Sequence, residues 1–235
     1  MTVEPGRQIP LGLAHQAEFG RDSFIVGDAN RGALALIERW PDWPQPVVLL
    51  TGPQGSGKTH LARIWATMAG APLIAARDLE AGGATDLVMQ GAAAVEDIDR
   101  DSLDENALFH LLNTAREGKA SLLLTSRRSP AHLPLRLADL RSRLRLASPA
   151  ALYPPDETLL RLVLVKLFTD RQLTVEKPVV DFLLARMERS FAAAVHIVDV
   201  LDHEALASSA AVTRPLAAKV LAVVENDARR FTEIE

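Results

Sequence analysis

The chain has 235 residues, 48% of them hydrophobic and 24% charged, which is enough apolar material for one large domain or two small ones. A net charge of −4 argues against a polycation built to coat nucleic acid, and the lack of cysteine excludes a disulfide framework, a thiolate metal site and a cysteine nucleophile. No apolar run approaches the roughly 18 residues of a membrane span, and MTVEPGRQIPLGL lacks the basic-then-apolar layout of a signal peptide, so a cytoplasmic chain without a membrane partner is expected.

Residues 1–22 read as an irregular arm, followed by Ser23-Phe24-Ile25-Val26-Gly27 and a helical pattern over 29–40 that Pro41, Pro44 and Pro46 end. Val47-Val48-Leu49-Leu50 reads as a buried strand, 60–69 as a helix and 72–76 as a short apolar run. Residues 78–91 are Gly-rich and poorly patterned. Ala92 to Val95 reads as a strand ending in Glu96-Asp97, 103–116 as a helix with Leu103, Ala107, Leu108, Leu111 and Leu112 on one face, and 121–125 as another strand. Strands alternating with helices predict a parallel α/β sheet with ligands at the carboxyl ends of its strands. From Asp156 the pattern is helical throughout, over 156–170, 178–189, 191–209 and 213–226. The expected organisation is an arm (1–22), an α/β domain (23–152) and a small all-helical domain (153–235).

Residues 52–59, Gly-Pro-Gln-Gly-Ser-Gly-Lys-Thr, form a complete G-x-x-x-x-G-K-T phosphate loop between a strand and a helix. Gly52, Gly55, Ser56 and Gly57 let backbone N–H groups face phosphates, and the helix opening at His60 adds positive potential. Lys58 can reach the β and γ phosphates, and the Thr59 hydroxyl can ligate Mg²⁺. ATP or ADP with Mg²⁺ is therefore the expected ligand. Glu96 and Asp97, at a neighbouring strand end, are candidates for the Mg²⁺ carboxylate and the water-polarising group; Thr125 and Ser126, at a third, could bond the γ-phosphate or the attacking water. Arg127, Arg128, Arg136, Arg141, Arg143 and Arg145 form a basic cluster offset only by Asp139. It reads as a solvated face, a nucleic-acid patch or the source of an arginine finger.

These pieces resemble the AAA+ ATPases of the DnaA family over roughly residues 18–205. Phe24-Ile25-Val26-Gly27 with Asn30 resembles the family's adenine-packing box, which implies Ile25 and Val26 at the base, and Gly57-Lys58-Thr59-His60-Leu61 resembles its form of the phosphate loop. Thr125 to Pro130 resembles the sensor 1 region, and Leu140-Arg141-Ser142-Arg143-Leu144 the segment whose second arginine is the finger, here Arg143. The resemblance implies a P-loop AAA+ core followed by a helical lid. A dedicated sequence-specific DNA-reading domain is not expected. The short span from Lys58 to Glu96 and the early end of the chain resemble the Hda branch, paralogues that turn the initiator DnaA off. Gln8-Ile9-Pro10-Leu11-Gly12-Leu13 resembles that branch's peptide for the DNA polymerase III sliding clamp, with Gln8, Leu11 and Leu13 as its contacts.

The resemblance thus implies clamp docking and stimulated ATP hydrolysis by DnaA, with homo-oligomerisation open. Three positions depart from the family pattern: Glu96 stands for the usual Asp, Arg127 for the initiators' sensor 1 Asp, and Ala192 for the sensor 2 arginine, so weak intrinsic hydrolysis is expected. The alternative is an autonomous nucleic-acid-linked ATPase of helicase-loader type.

Overall fold

A computed structural model describes residues 20–80, 82–88, 91–100, 102–118, 120–208 and 210–232. The arm residues Gln8, Leu11 and Leu13 lie outside them. The described residues divide into two compact units, one ending at Pro154 and the other starting at Pro155.

In the first unit, five parallel strands lie in the order β2-β3-β4-β1-β5: β1 (Val47–Thr51), β2 (Leu73–Ala75), β3 (Ala92–Glu96), β4 (Ser121–Ser126) and β5 (Ser148–Ala151). Strand periodicity decides how the sheet is covered. Val47, Leu49, Ala93, Val95, Leu122 and Leu124 enter one core; Val48, Leu50, Ala92, Ala94 and Leu123 enter the other. A strand buried on both faces reads as an uninterrupted apolar run, as β1 and β4 do.

Against the first face lie α4 (Glu105–Glu117), through Leu108, Leu111 and Leu112, and α5 (Ala138–Leu144), through Leu140 and Leu144. Against the second lie α1 (Arg31–Glu38), through Ala33, Leu34 and Ile37, and α2 (Lys58–Ala69), through Leu61, Ile64 and Trp65. Each fully buried leucine or isoleucine in these layers contributes on the order of 1.5–3 kcal/mol. The helix ends follow local chemistry. Gly57 and Gly70 flank α2 in left-handed conformation, and the Asp104 carboxylate accepts the Asn106 and Ala107 N–H groups that open α4.

Three elements are absent from the sequence expectations. One is α5, inside the basic cluster; another is β5, whose Ser-Pro-Ala-Ala has no strand signal. The third is the short helix α3 (Ala84–Val88) in the Gly-rich stretch, where Leu87 and Val88 reach the first core.

The second unit contains α6 (Glu157–Asp170), α7 (Lys177–Leu184), α8 (Phe191–Ser208) and α9 (Arg214–Thr232), and no strand among the described residues. Its separate core includes Leu160, Leu164, Phe168, Leu183, Ile197, Val198, Leu201 and Val220. Asp156 caps α6 by accepting the Leu159 N–H at 2.7 Å.

Candidate functional site

The carboxyl ends of three adjacent strands line up by register. Leu50 and Thr51 of β1 face Thr125 and Ser126 of β4, and the Ile98 N–H just past β3 donates to the Thr125 carbonyl at 3.0 Å. The phosphate loop springs from this edge, tied down by the Gly52 N–H donating to the Ser126 carbonyl at 3.2 Å. Only glycine fits at 52: a Cβ there would lie 2.7 Å from the Leu152 carbonyl oxygen and 2.8 Å from the Ser56 hydroxyl. Gly55 (φ 69°) and Gly57 (φ 95°) hold left-handed conformations that turn the loop into α2.

Lys58 lies at the mouth of α2, buried, with its ammonium donating to the Gly52 and Pro53 carbonyls at 2.9 and 2.8 Å. Burial pushes it below the ordinary lysine value, against the upward pull of Asp97, Asp99 and Glu96. The Ser56 hydroxyl is buried with no hydrogen-bond partner among the described residues. Buried polar groups are ordinarily satisfied, and a loop holding an unused hydroxyl and a lysine folded onto its own carbonyls is suited to an anion. Thr59, exposed, follows Lys58 on the first turn of α2.

Glu96 ends β3, half-buried. Asp97 next to it has φ 60°, its N–H donating to Thr125 Oγ1 at 3.0 Å, and its carboxylate is paired with Arg100 at 3.1 Å. Thr125 thus fixes the strand end that carries the acidic pair. Ser126 is spent locally, its hydroxyl donating to the Arg128 carbonyl at 2.7 Å and accepting the Arg128 N–H at 2.9 Å.

Sequence reasoning passed over Asp99 as one more nearby acid. Its side chain is 1% exposed and accepts both the Arg127 N–H and its Nε at 3.1 Å, locking the turn after β3 to the turn after β4. Burial pushes the Asp99 carboxyl up, but the Arg127 N–H and guanidinium outweigh it and hold the group below the ordinary carboxylate value. The available signal was Arg127 itself, an arginine immediately past a buried strand.

Before α1, Asn30 is 2% exposed; it accepts the Gly27 N–H and donates to the Ile25 carbonyl, both at 2.9 Å, which pins Ile25 and the exposed Val26. His60 meets Phe24 edge-on at 5.1 Å and lies 3.2 Å from both Ser23 Oγ and the Gly20 carbonyl, joining this segment to α2. Of the two arginines in α5, Arg141 turns inward onto the Leu135 carbonyl, while half-buried Arg143 lies over the Phe109 ring of α4 at 4.8 Å. That cation–π contact holds the guanidinium at the surface of α4.

Residues 160–221 match the family of the Hda lid domain. A protein from Haemophilus influenzae is 27% identical over 229 residues, 92% of this chain and 98% of that one. The chromosomal replication initiator DnaA of Caulobacter sp. (strain K31) is 32% identical over 169 residues, 61% of this chain but only 35% of the initiator, so the chain spans about a third of that relative. Domain III of the Thermotoga maritima replication initiation protein DnaA superposes with a TM-score of 0.73 at 17% identity, covering 87% of this chain and 96% of that one. AMPPCP-bound DnaA from Aquifex aeolicus superposes at 0.64 and 18% identity, over 79% of this chain and 65% of that one.

The five-stranded parallel sheet, the phosphate loop at its edge and the helical unit that follows make up the AAA+ fold. Within that fold the chain is DnaA/Hda-like, similar to the Hda lid over residues 160–221 and to DnaA over about three fifths of its length. No helix among its described residues is long and apolar enough to cross a membrane.

Proposed function

We propose that this chain is a cytoplasmic, nucleotide-holding regulator of replication initiation that docks on the DNA polymerase III sliding clamp and stimulates hydrolysis of the ATP bound to DnaA. The observation that carries the reading is the joining, in one chain, of a preformed phosphate loop to an Hda-type lid over residues 160–221.

ATP or ADP would lie along Gly52 to His60, with Ile25 and Val26 at the base, Ser56 meeting a phosphate and the Lys58 ammonium moving from the loop carbonyls to the phosphates. Thr59 and Glu96 fit a Mg²⁺ site, since that ion takes one or two protein ligands and fills the rest with water and phosphate oxygens. Hydrolysis by this chain itself would be weak: Asp97 is engaged by Arg100, and Ser126 is satisfied within its own turn. Arg143 would instead act on the partner's nucleotide, its guanidinium meeting the charge that develops on the γ-phosphate. Gln8, Leu11 and Leu13 would hold the clamp as an extended peptide.

The test is ATP hydrolysis by purified DnaA with this protein, clamp and DNA, each omitted in turn. Stimulation that requires all of them is expected. Clamp binding without stimulation would remove DnaA as the target.

A further inference from the structure

The phosphate-loop helix borders a groove that the proposed function does not use. Arg63, Ala66 and Thr67 of α2, Gly70 and Ala71 just past it, and Gly20 line a space of about 460 Å³. Ala66 is buried, Ala71 half-buried, and Arg63, Thr67 and Gly70 exposed. A Cβ built on Gly70 would meet nothing within 4 Å, so the space beside it is open to a larger side chain.

Gly20 is fixed at this groove. Its carbonyl accepts the Ser23 hydroxyl at 2.8 Å and the Ser23 N–H at 3.2 Å, and lies 3.2 Å from His60 Nε2 of α2. Arg21, next to it, is paired with Glu38 of α1. The Cα of residue 19 therefore lies about 3.8 Å from a Cα that lines the groove, whichever way the arm runs. That residue is Phe19, the only Phe, Tyr or Trp in the first 22 residues, and Glu18 precedes it. Both precede the described residues.

We propose that the groove is the docking site of the chain's own Glu18 and Phe19, with the Phe19 ring against Ala66, Gly70 and Ala71 and the Glu18 carboxylate facing the Arg63 guanidinium. Two observations choose this occupant: the chain enters the fold at the groove itself, and an acid followed by an aromatic complements a cation beside small apolar groups. Covering one face of the ring removes it from water, and a tethered segment binds without the loss of translational freedom that a separate partner incurs. Docking here roots the arm on the helix that opens with Lys58. The inference stands apart from the clamp and DnaA activities proposed above.

The experiment treats the full chain with a trace of chymotrypsin, which cuts after Phe19. Release of fragment 1–19 is followed by mass spectrometry and compared with cleavage of a synthetic peptide of residues 14–23. Where opening is fast relative to cleavage, the rate reports the open fraction, so wild type should be cut at least roughly tenfold more slowly than the peptide. Thr67→Trp fills the groove from an exposed position, and Arg63→Glu sets a like charge against Glu18. Each leaves the cleavage site intact and should raise the rate several-fold. A melting curve checks each fold, and Arg63→Glu decides if Thr67→Trp is destabilised. Cleavage of wild type at the peptide's rate overturns the proposal. So does equal protection in wild type and both variants, which would assign it to the pinned turn at Gly20 alone. Protection that rises with protein concentration overturns it as well, giving the groove to a second copy.

Discussion

Gly52 is where a single methyl group decides the site. Its missing side chain lets the start of the phosphate loop pass under the Leu152 carbonyl, an atom that is backbone and cannot rotate away. Gly52→Ala should cost about 1–3 kcal/mol by overpacking and displace the loop, so that a fluorescent nucleotide no longer binds at concentrations that saturate wild type. Thermal melting and nucleotide titration together check this; normal affinity would mean that the loop yields where the packing says it cannot.

Asp99 acts at the same scale through charge. Its carboxyl is held below the ordinary value in the folded chain, so its contribution to stability is complete above the ordinary carboxylate range of about 3.9 and fades as pH falls through the lowered value. Asp99→Asn should lose about 1–3 kcal/mol at neutral pH, with the gap from wild type closing on acidification. Denaturant midpoints from pH 7 down to pH 3 for both proteins would show it; a gap independent of pH would assign the loss to packing alone.

Among the elements, those built from long-range apolar runs were legible and those defined by their neighbours were not. β1, β3 and β4 are buried on both faces, and their uninterrupted apolar residues announce this. β5 is an edge strand paired only with β1, and an edge accommodates Pro149, whose ring removes a donor that a central strand would need. Nothing in Ser148 to Ala151 says strand without the register to Val48–Thr51. α5 was hidden by its arginines: only Leu140 and Leu144 face the core, too few to outweigh the basic cluster in a linear reading.

The segment before α1 illustrates the same limit from the other side. The resemblance picked out Asn30, but its work appears only when its amide is seen to bridge Gly27 and Ile25. Asn30→Ala strands two half-buried backbone groups and should cost about 1–3 kcal/mol, with weaker nucleotide binding as Ile25 and Val26 lose their anchor. A melting curve and an ADP titration test the two effects separately, and a destabilised variant with unchanged ADP affinity would detach this segment from the nucleotide.

For the whole molecule, the question is whether the chain turns over its own nucleotide or acts on that of a partner, and Arg143 separates the two. Its guanidinium is not part of the hydrogen-bonded edge that joins Gly52, Asp97, Asp99 and Thr125; it stands on α5, propped against Phe109. Removing it should therefore leave that edge intact. Arg143→Ala should cost no more than about 2 kcal/mol, the upper worth of a half-buried cation–π contact, and leave nucleotide and clamp affinity unchanged while abolishing stimulation of DnaA. An arginine finger contributes 10³–10⁵ in rate, so the loss should be essentially complete. Arg143→Lys should not rescue it, because a point charge lacks the planar fork. Phe109→Leu, which removes the prop and keeps the arginine, should give an intermediate rate through poorer positioning. Full stimulation by Arg143→Ala would sink the finger assignment, and a parallel loss of nucleotide affinity would place Arg143 at this chain's own site instead.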